Sequence, residues 1–174
     1  MAVYTTPTDP ALLSPAALAV EMRSLAHSAA AYFATLNEEQ ASTPLAPGKW
    51  CTRLVTGHLI DSAMNNIQRS VRLSIADDLI FPGYQQNEWV ATQRYDLRPW
   101  AEIKTLFLAL NLHFAHIVQH LNPAHLKRIW HVDKQYMEEG DLTLGFIVED
   151  YLAHYRHHLN HLPGYQNWQL ATSN

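Results

Sequence analysis

At 174 residues, with 48% apolar and 16% charged side chains, the chain has the length and make-up of a single globular domain spanning residues 1–174, which excludes a disordered polymer and leaves too little chain for two independent cores. A formal charge of -4, with Lys and Arg scattered along the chain, offers no basic stripe to neutralise a phosphate backbone, so nucleic acid is not an expected partner. No run approaches the roughly 18 to 20 apolar residues that a membrane span requires. The opening MAVYTTPTDPALLSPAALAV lacks a positive n-region and is interrupted by Pro10 and Pro15, so neither a signal peptide nor a membrane is expected and the cytoplasm is the expected compartment.

Ser14-Pro15 reads as an N-cap followed by proline at the first helical position, where its missing N–H costs nothing. From there Leu18, Met22, Leu25, Ala29, Tyr32 and Leu36 recur at spacings of four and three, predicting a first helix over 15–36 with Asn37 as its stop. STPLAPGKW is too rich in Pro and Gly to be helical, and Thr52 can cap a second helix over 53–75. Periodicity fails between Ala76 and Arg98, where FPGYQQNEW carries a turn signal; this is a long connection with a short helix near Glu88 to Arg94. Trp100, Ile103, Phe107, Leu110, Phe114, Ile117 and Leu121 keep a seven-residue period, predicting a third helix over 98–121 that Asn122-Pro123 ends. After a second connection, a fourth helix over 142–162 runs to Pro163-Gly164. No strand pattern stands out. The expected fold is all-α, a four-helix bundle with a long crossover between the second and third helices, and such bundles build metal sites from side chains on facing helices.

Cys51 is the single cysteine, so an internal disulfide and a thiolate metal cluster are both excluded, and it reads as a small residue near a helix start. Histidine is over-represented at eleven residues, and the densest cluster is HYRHHLNH, residues 154–161. His154 and His158 are four apart, as are His157 and His161, and either pair can present two imidazoles to one ion. At about 100° per residue, the apolar set Leu144, Ile147, Val148, Tyr151, Tyr155, Leu159 and Leu162 centres about 50° from His158 and about 90° from His154, on the flank facing the bundle. His157 falls about 150° away among polar residues and should face water. His116 and His120 on the third helix also read as solvated, and His113, His27, His125 and His131 have no suitable mates. On the second helix Ile60, Met64, Ile67 and Val71 define the apolar stripe. His58 lies away from it, sharing a polar stripe with Asp61, Asn65 and Arg72, which by periodicity alone is a solvated face.

KWCTRLVTGHLIDS (Lys49 to Ser62), FPGYQQNEWVATQRYD (Phe81 to Asp96) and DYLAHYRHHLNHL (Asp150 to Leu162) together resemble the DinB-like superfamily, and within it the YfiT-like group described as metal-dependent hydrolases and thiol S-transferases. That resemblance implies that His58 joins His154 and His158 as ligands of a divalent metal, zinc or nickel, and that the protein is a homodimer. Three imidazoles leave an ion able to activate a water or a low-molecular-weight thiol for hydrolysis or S-transfer on a small molecule. Asp61 lies one turn after His58 and Asp150 one turn before His154, so either can orient an imidazole or act as a base. Tyr84, Gln85, Asn87 and Trp89 of the crossover are placed to border the mouth of the site. The competing expectation is a non-catalytic metal-binding or structural helical-bundle module.

Overall fold

The structure is a computed structural model and describes residues 14–132 and 141–166. Residues 1–13, 133–140 and 167–174 lie outside the described part, and with them the reading of the amino-terminal segment and part of the second connection. In chain order the elements are α1 (Pro15–Ala34), α2 (Glu38–Ser42), α3 (Thr52–Ile75), β1 (Asp78–Phe81), α4 (Gln86–Gln93), α5 (Trp100–Gln119), β2 (Ile129–Val132), β3 (Asp141–Thr143) and α6 (Leu144–Asn160). The four long helices fall where the apolar periodicity puts them. α5 packs between α1 and α3, and α6 closes the bundle against α3 and α1.

The local start signals are more varied than the sequence suggests. Ser14 occupies the N-cap of α1 without a side-chain cap bond, its carbonyl accepting from Leu18 N–H at 3.0 Å. Asn37 does not stop α1, which ends at Ala34 with Thr35 as its cap; its side chain instead accepts from Gln40 N–H in a capping box that begins α2. The cap of α3 is Cys51, not Thr52, which is already helical and buried. Thr143 caps α6 by accepting from Phe146 N–H.

The heptad face of α5 forms the centre of the core. Trp100, Ile103, Phe107, Phe114 and Leu121 are buried, with Phe107 edge-on to Phe33 of α1 and to Tyr155 of α6. Glu38 ties α2 to the start of α5, accepting from Trp100 N–H at 2.7 Å and pairing with Arg53. Arg53 in turn donates to the carbonyls of Asp96 and Arg98, which holds the end of the crossover against α3.

A small sheet corrects the expectation of no strands. β1 pairs parallel with β2, and β2 pairs antiparallel with β3, so the two long connections meet at the end of α3. Strands of three and four residues are too short to show alternation, and the pairing of β1 with β2 is between segments some fifty residues apart. Trp130 of β2 is buried and donates from Nε1 to the Phe81 carbonyl at 2.8 Å. No helix among the described residues is long and apolar enough to cross a membrane.

Candidate metal centre

Among the described residues, every buried polar or charged side chain except Asn111 lies on α3. Burying a polar group without a partner costs about 1 to 3 kcal/mol in proteins, so this concentration on one helix demands either internal bonding or a function. Part is internal: Thr56, Asn65 and Asn66 donate to the carbonyls of Thr52, Asp61 and Ser62, four residues back. What remains includes His58 and Arg69, which lie toward α6, and Asp61, which meets the crossover.

His58 therefore stands against its wheel position. It is 1% exposed, while Val71 of the supposed core stripe is 41% exposed. Ile60 is fully buried, but Met64 and Ile67 are only partly so. The wheel sorts residues by apolarity, and here the covered side of the helix is polar. Arg72, which shared the expected stripe, is exposed.

His58 meets the pair on α6. Its Nε2 lies 3.0 Å from Nε2 of His154, which lies 3.0 Å from Nε2 of His158. The three ligand atoms are all within 4.8 Å of one another. Around an ion held at about 2.0 to 2.1 Å, tetrahedral nitrogens stand about 3.3 Å apart, close to the separations found. Burial pushes the pKa of His58 down to about 4 and that of His158 to about 3, and lowers that of His154, so the charged forms are disfavoured. A neutral imidazole holds one proton. His154 Nε2 faces two other Nε2 atoms, and a single inward proton can bridge only one of those contacts. Converging lone pairs in a partly desolvated site fit a cation.

Of the other histidines only His157 touches this cluster among the described residues, its ring 5.4 Å from that of His158. His116 and His120 are exposed, as the helical angles require, with their rings 4.5 Å apart, and His113 is exposed as well. His157 is half-buried instead of fully in water, its ring 4.4 Å from that of His161.

Asp61 is fully buried, but it does not orient an imidazole. Its Oδ1 accepts from the Tyr95 hydroxyl at 2.7 Å and from Gln93, while Oδ2 has no hydrogen bond among the described residues. His58 Nδ1, the atom such an acceptor would serve, is likewise without one. Burial raises the pKa of Asp61 to about 6 against the lowering effect of the Tyr95 bond. Asp150 is half-buried beside Arg69, its pKa raised by burial.

Tyr95 and Gln93 escaped the sequence reading, which looked to Tyr84, Gln85, Asn87 and Trp89. Gln85 and Asn87 are exposed, Tyr84 packs on Trp89 with ring centroids 5.0 Å apart, and Trp89 lines an outer cleft of about 470 Å³ with Met64, Glu88, Thr92 and Gln93. A signal for Tyr95 did exist. Gly57 sits inside a helix, where glycine costs about 0.5 to 1 kcal/mol relative to alanine, and such a residue marks a close approach. A Cβ there would lie 2.5 Å from Cγ of Tyr95. Arg94, at φ 51°, ends α4 in the left-handed region and turns the chain so that Tyr95 enters.

A helical bundle with three imidazoles converging between two of its helices falls in the class of bundles that can hold a metal in their interior. The chain belongs to the DinB superfamily, whose family model matches residues 21–162. It is 30% identical over 128 residues to a "putative metal-dependent hydrolase" of Oceanobacillus iheyensis, covering 73% of this chain and 71% of that protein. It is 26% identical over 153 residues to a protein of the same description from Bacillus mycoides, covering 85% and 84%. In fold it is similar to YfiT from Bacillus subtilis, described as a probable metal-dependent hydrolase with an unusual four-helix bundle topology; the TM-score is 0.78 at 18% identity, over 94% of this chain and 92% of that one.

Proposed function

We propose that His58, His154 and His158 are the protein ligands of a divalent ion, zinc or nickel, in an enzyme that acts on a small molecule by hydrolysis or by transfer of a low-molecular-weight thiol. The observation that carries this reading is the convergence of the three Nε2 atoms from two helices. Three ligands, not four, is the number that leaves a position for a reactant. A divalent ion bound there would bring the pKa of a water toward about 7 or hold a thiol as its thiolate.

The remaining work falls to the chain itself. Burial keeps the three imidazoles neutral at neutral pH, so their lone pairs stay available. Tyr95 and Gln93 hold Oδ1 of Asp61, which leaves Oδ2 free to accept and return a proton. With a pKa of about 6, Asp61 is suited to that exchange near neutrality. Cys51 is buried at the cap of α3, away from the role of nucleophile. The description of the relatives as metal-dependent hydrolases favours the same reading.

Elemental analysis of untagged protein tests it. The wild type should carry metal in stoichiometric amount, and His58→Ala and His158→Ala should lose most of it. Equal metal in all three would end the proposal. Turnover on esters and amides, against turnover with a thiol and an electrophile, then separates hydrolysis from S-transfer.

A further inference from the structure

The covered face of α3 carries a second buried group that the triad does not use. Arg69 follows His58 by eleven residues, three turns on and about 20° round, or about 16 Å along the helix axis. It is 7% exposed. Its guanidinium carbon sits 3.9 Å from the centroid of the Trp130 indole, and Trp130, 3% exposed, is itself fixed by the bond to Phe81. Nη1 donates to Asn66 Oδ1 at 3.1 Å, whereas Nε is buried with no acceptor among the described residues. None of the ion pairs among those residues involves Arg69; Asp150 is close enough to act on it electrostatically without pairing.

A buried cation with an idle donor is expensive unless something completes it. Arginine presents its donors in a planar fork that matches the oxygens of a carboxylate or phosphate, and the indole beneath holds the fork in place before any ligand arrives. Arg69 keeps a small exposure, and Asp150, His154 and His158 on the facing stripe of α6 are half-buried, not sealed.

We propose that Arg69 anchors an oxyanion, the carboxylate or phosphate of the small molecule whose other end meets the three histidines. The substrate class is then an anionic small molecule whose charge lies on the order of 10 Å from its reacting atom, since Asp150, which acts on Arg69, is one turn before His154 on α6. This placement rests on the metal reading above; the affinity of Arg69 for an oxyanion does not.

Two measurements keep those apart. In full-length protein stripped of metal, the Nε–H resonance of Arg69, assigned by its loss in Arg69→Lys, should shift on titration with inorganic phosphate and with acetate, while that of exposed Arg94 stays in place. In zinc-loaded protein, mercaptohexanoate should bind about tenfold or more tightly than mercaptohexanol, the yield of one charge-assisted bond. Arg69→Met should abolish that preference and leave mercaptohexanol binding unchanged. An Arg69 resonance that ignores both anions overturns the proposal whatever the metal does, and so does a preference that survives Arg69→Met. If the resonance shifts but neither thiol binds, the anion site stands and the metal reading falls.

Discussion

Replacing Gly57 by alanine adds one methyl group to the middle of α3, and the packing around it makes the outcome specific. On helix propensity alone the change should stabilise by about 0.5 to 1 kcal/mol. The new Cβ, however, would stand 2.5 Å from Cγ and 2.8 Å from Cε2 of Tyr95. The ring has little room to retreat, being 1% exposed and followed by a backbone that Arg53 holds at the carbonyls of Asp96 and Arg98. Overpacking of this kind costs about 1 to 3 kcal/mol. Tilting the ring also strains the Tyr95–Asp61 bond, and a bond to a charged group is worth about 1.5 to 3 kcal/mol. Gly57→Ala should therefore destabilise the metal-free protein by about 1 to 4 kcal/mol in urea unfolding at neutral pH, once the propensity gain is subtracted. The same substitution in a Tyr95→Ala background should reverse sign and stabilise by about 0.5 to 1 kcal/mol, because the obstacle is gone. Equal destabilisation in both backgrounds, or stabilisation in the wild type, would refute the assignment of Gly57 as the clearance for Tyr95.

Three further substitutions have definite expected outcomes. Because burial holds the pKa of His58 near 4 and of His158 near 3 while the unfolded chain takes up those protons around 6.5, metal-free protein keeps this stability above pH 6.5 and loses it as pH falls toward 4 and 3. His58→Gln should flatten the decline in urea midpoint across that window, and a slope identical to wild type would contradict it. Asp61 has the opposite sign: its pKa is raised from 3.8 to about 6, so stability present below the lower value is lost as pH rises through the upper one, and Asp61→Asn, which keeps an oxygen for Tyr95, should raise the melting temperature more at pH 8 than at pH 5. The same variant should lower kcat while retaining its metal, whereas unchanged turnover would remove Asp61 from proton transfer. Arg94→Gly should stabilise by up to about 1 kcal/mol, since it relieves a left-handed residue at the loss of an exposed pair with Asp96 that is worth little; a lower denaturation midpoint would count against this.

Much of the bundle was legible in the residues because it is held by local periodicity. Trp100 to Leu121 and Leu144 to Leu162 each repeat their apolar residues at helical spacing, and those residues are the ones the core covers. The His154 and His158 pair was legible for the same reason, as its angle from the apolar set of α6 follows from helix geometry alone. The short strands were not, since pairing of Asp78–Phe81 with Ile129–Val132 depends on segments remote in sequence.

The amino-acid sequence by itself determined the four long helices, the side of α6 that bears two imidazoles, and, through its resemblance, the third histidine to look for. Tertiary structure alone decided that His58 is inside, that Asp61 binds Tyr95 and Gln93, and that Arg69 lies on Trp130. The reason is physical. A helical wheel finds the buried face by its apolarity, whereas the covered face of α3 is polar and is enclosed by α6, the crossover and β2, elements whose position no property of α3 encodes.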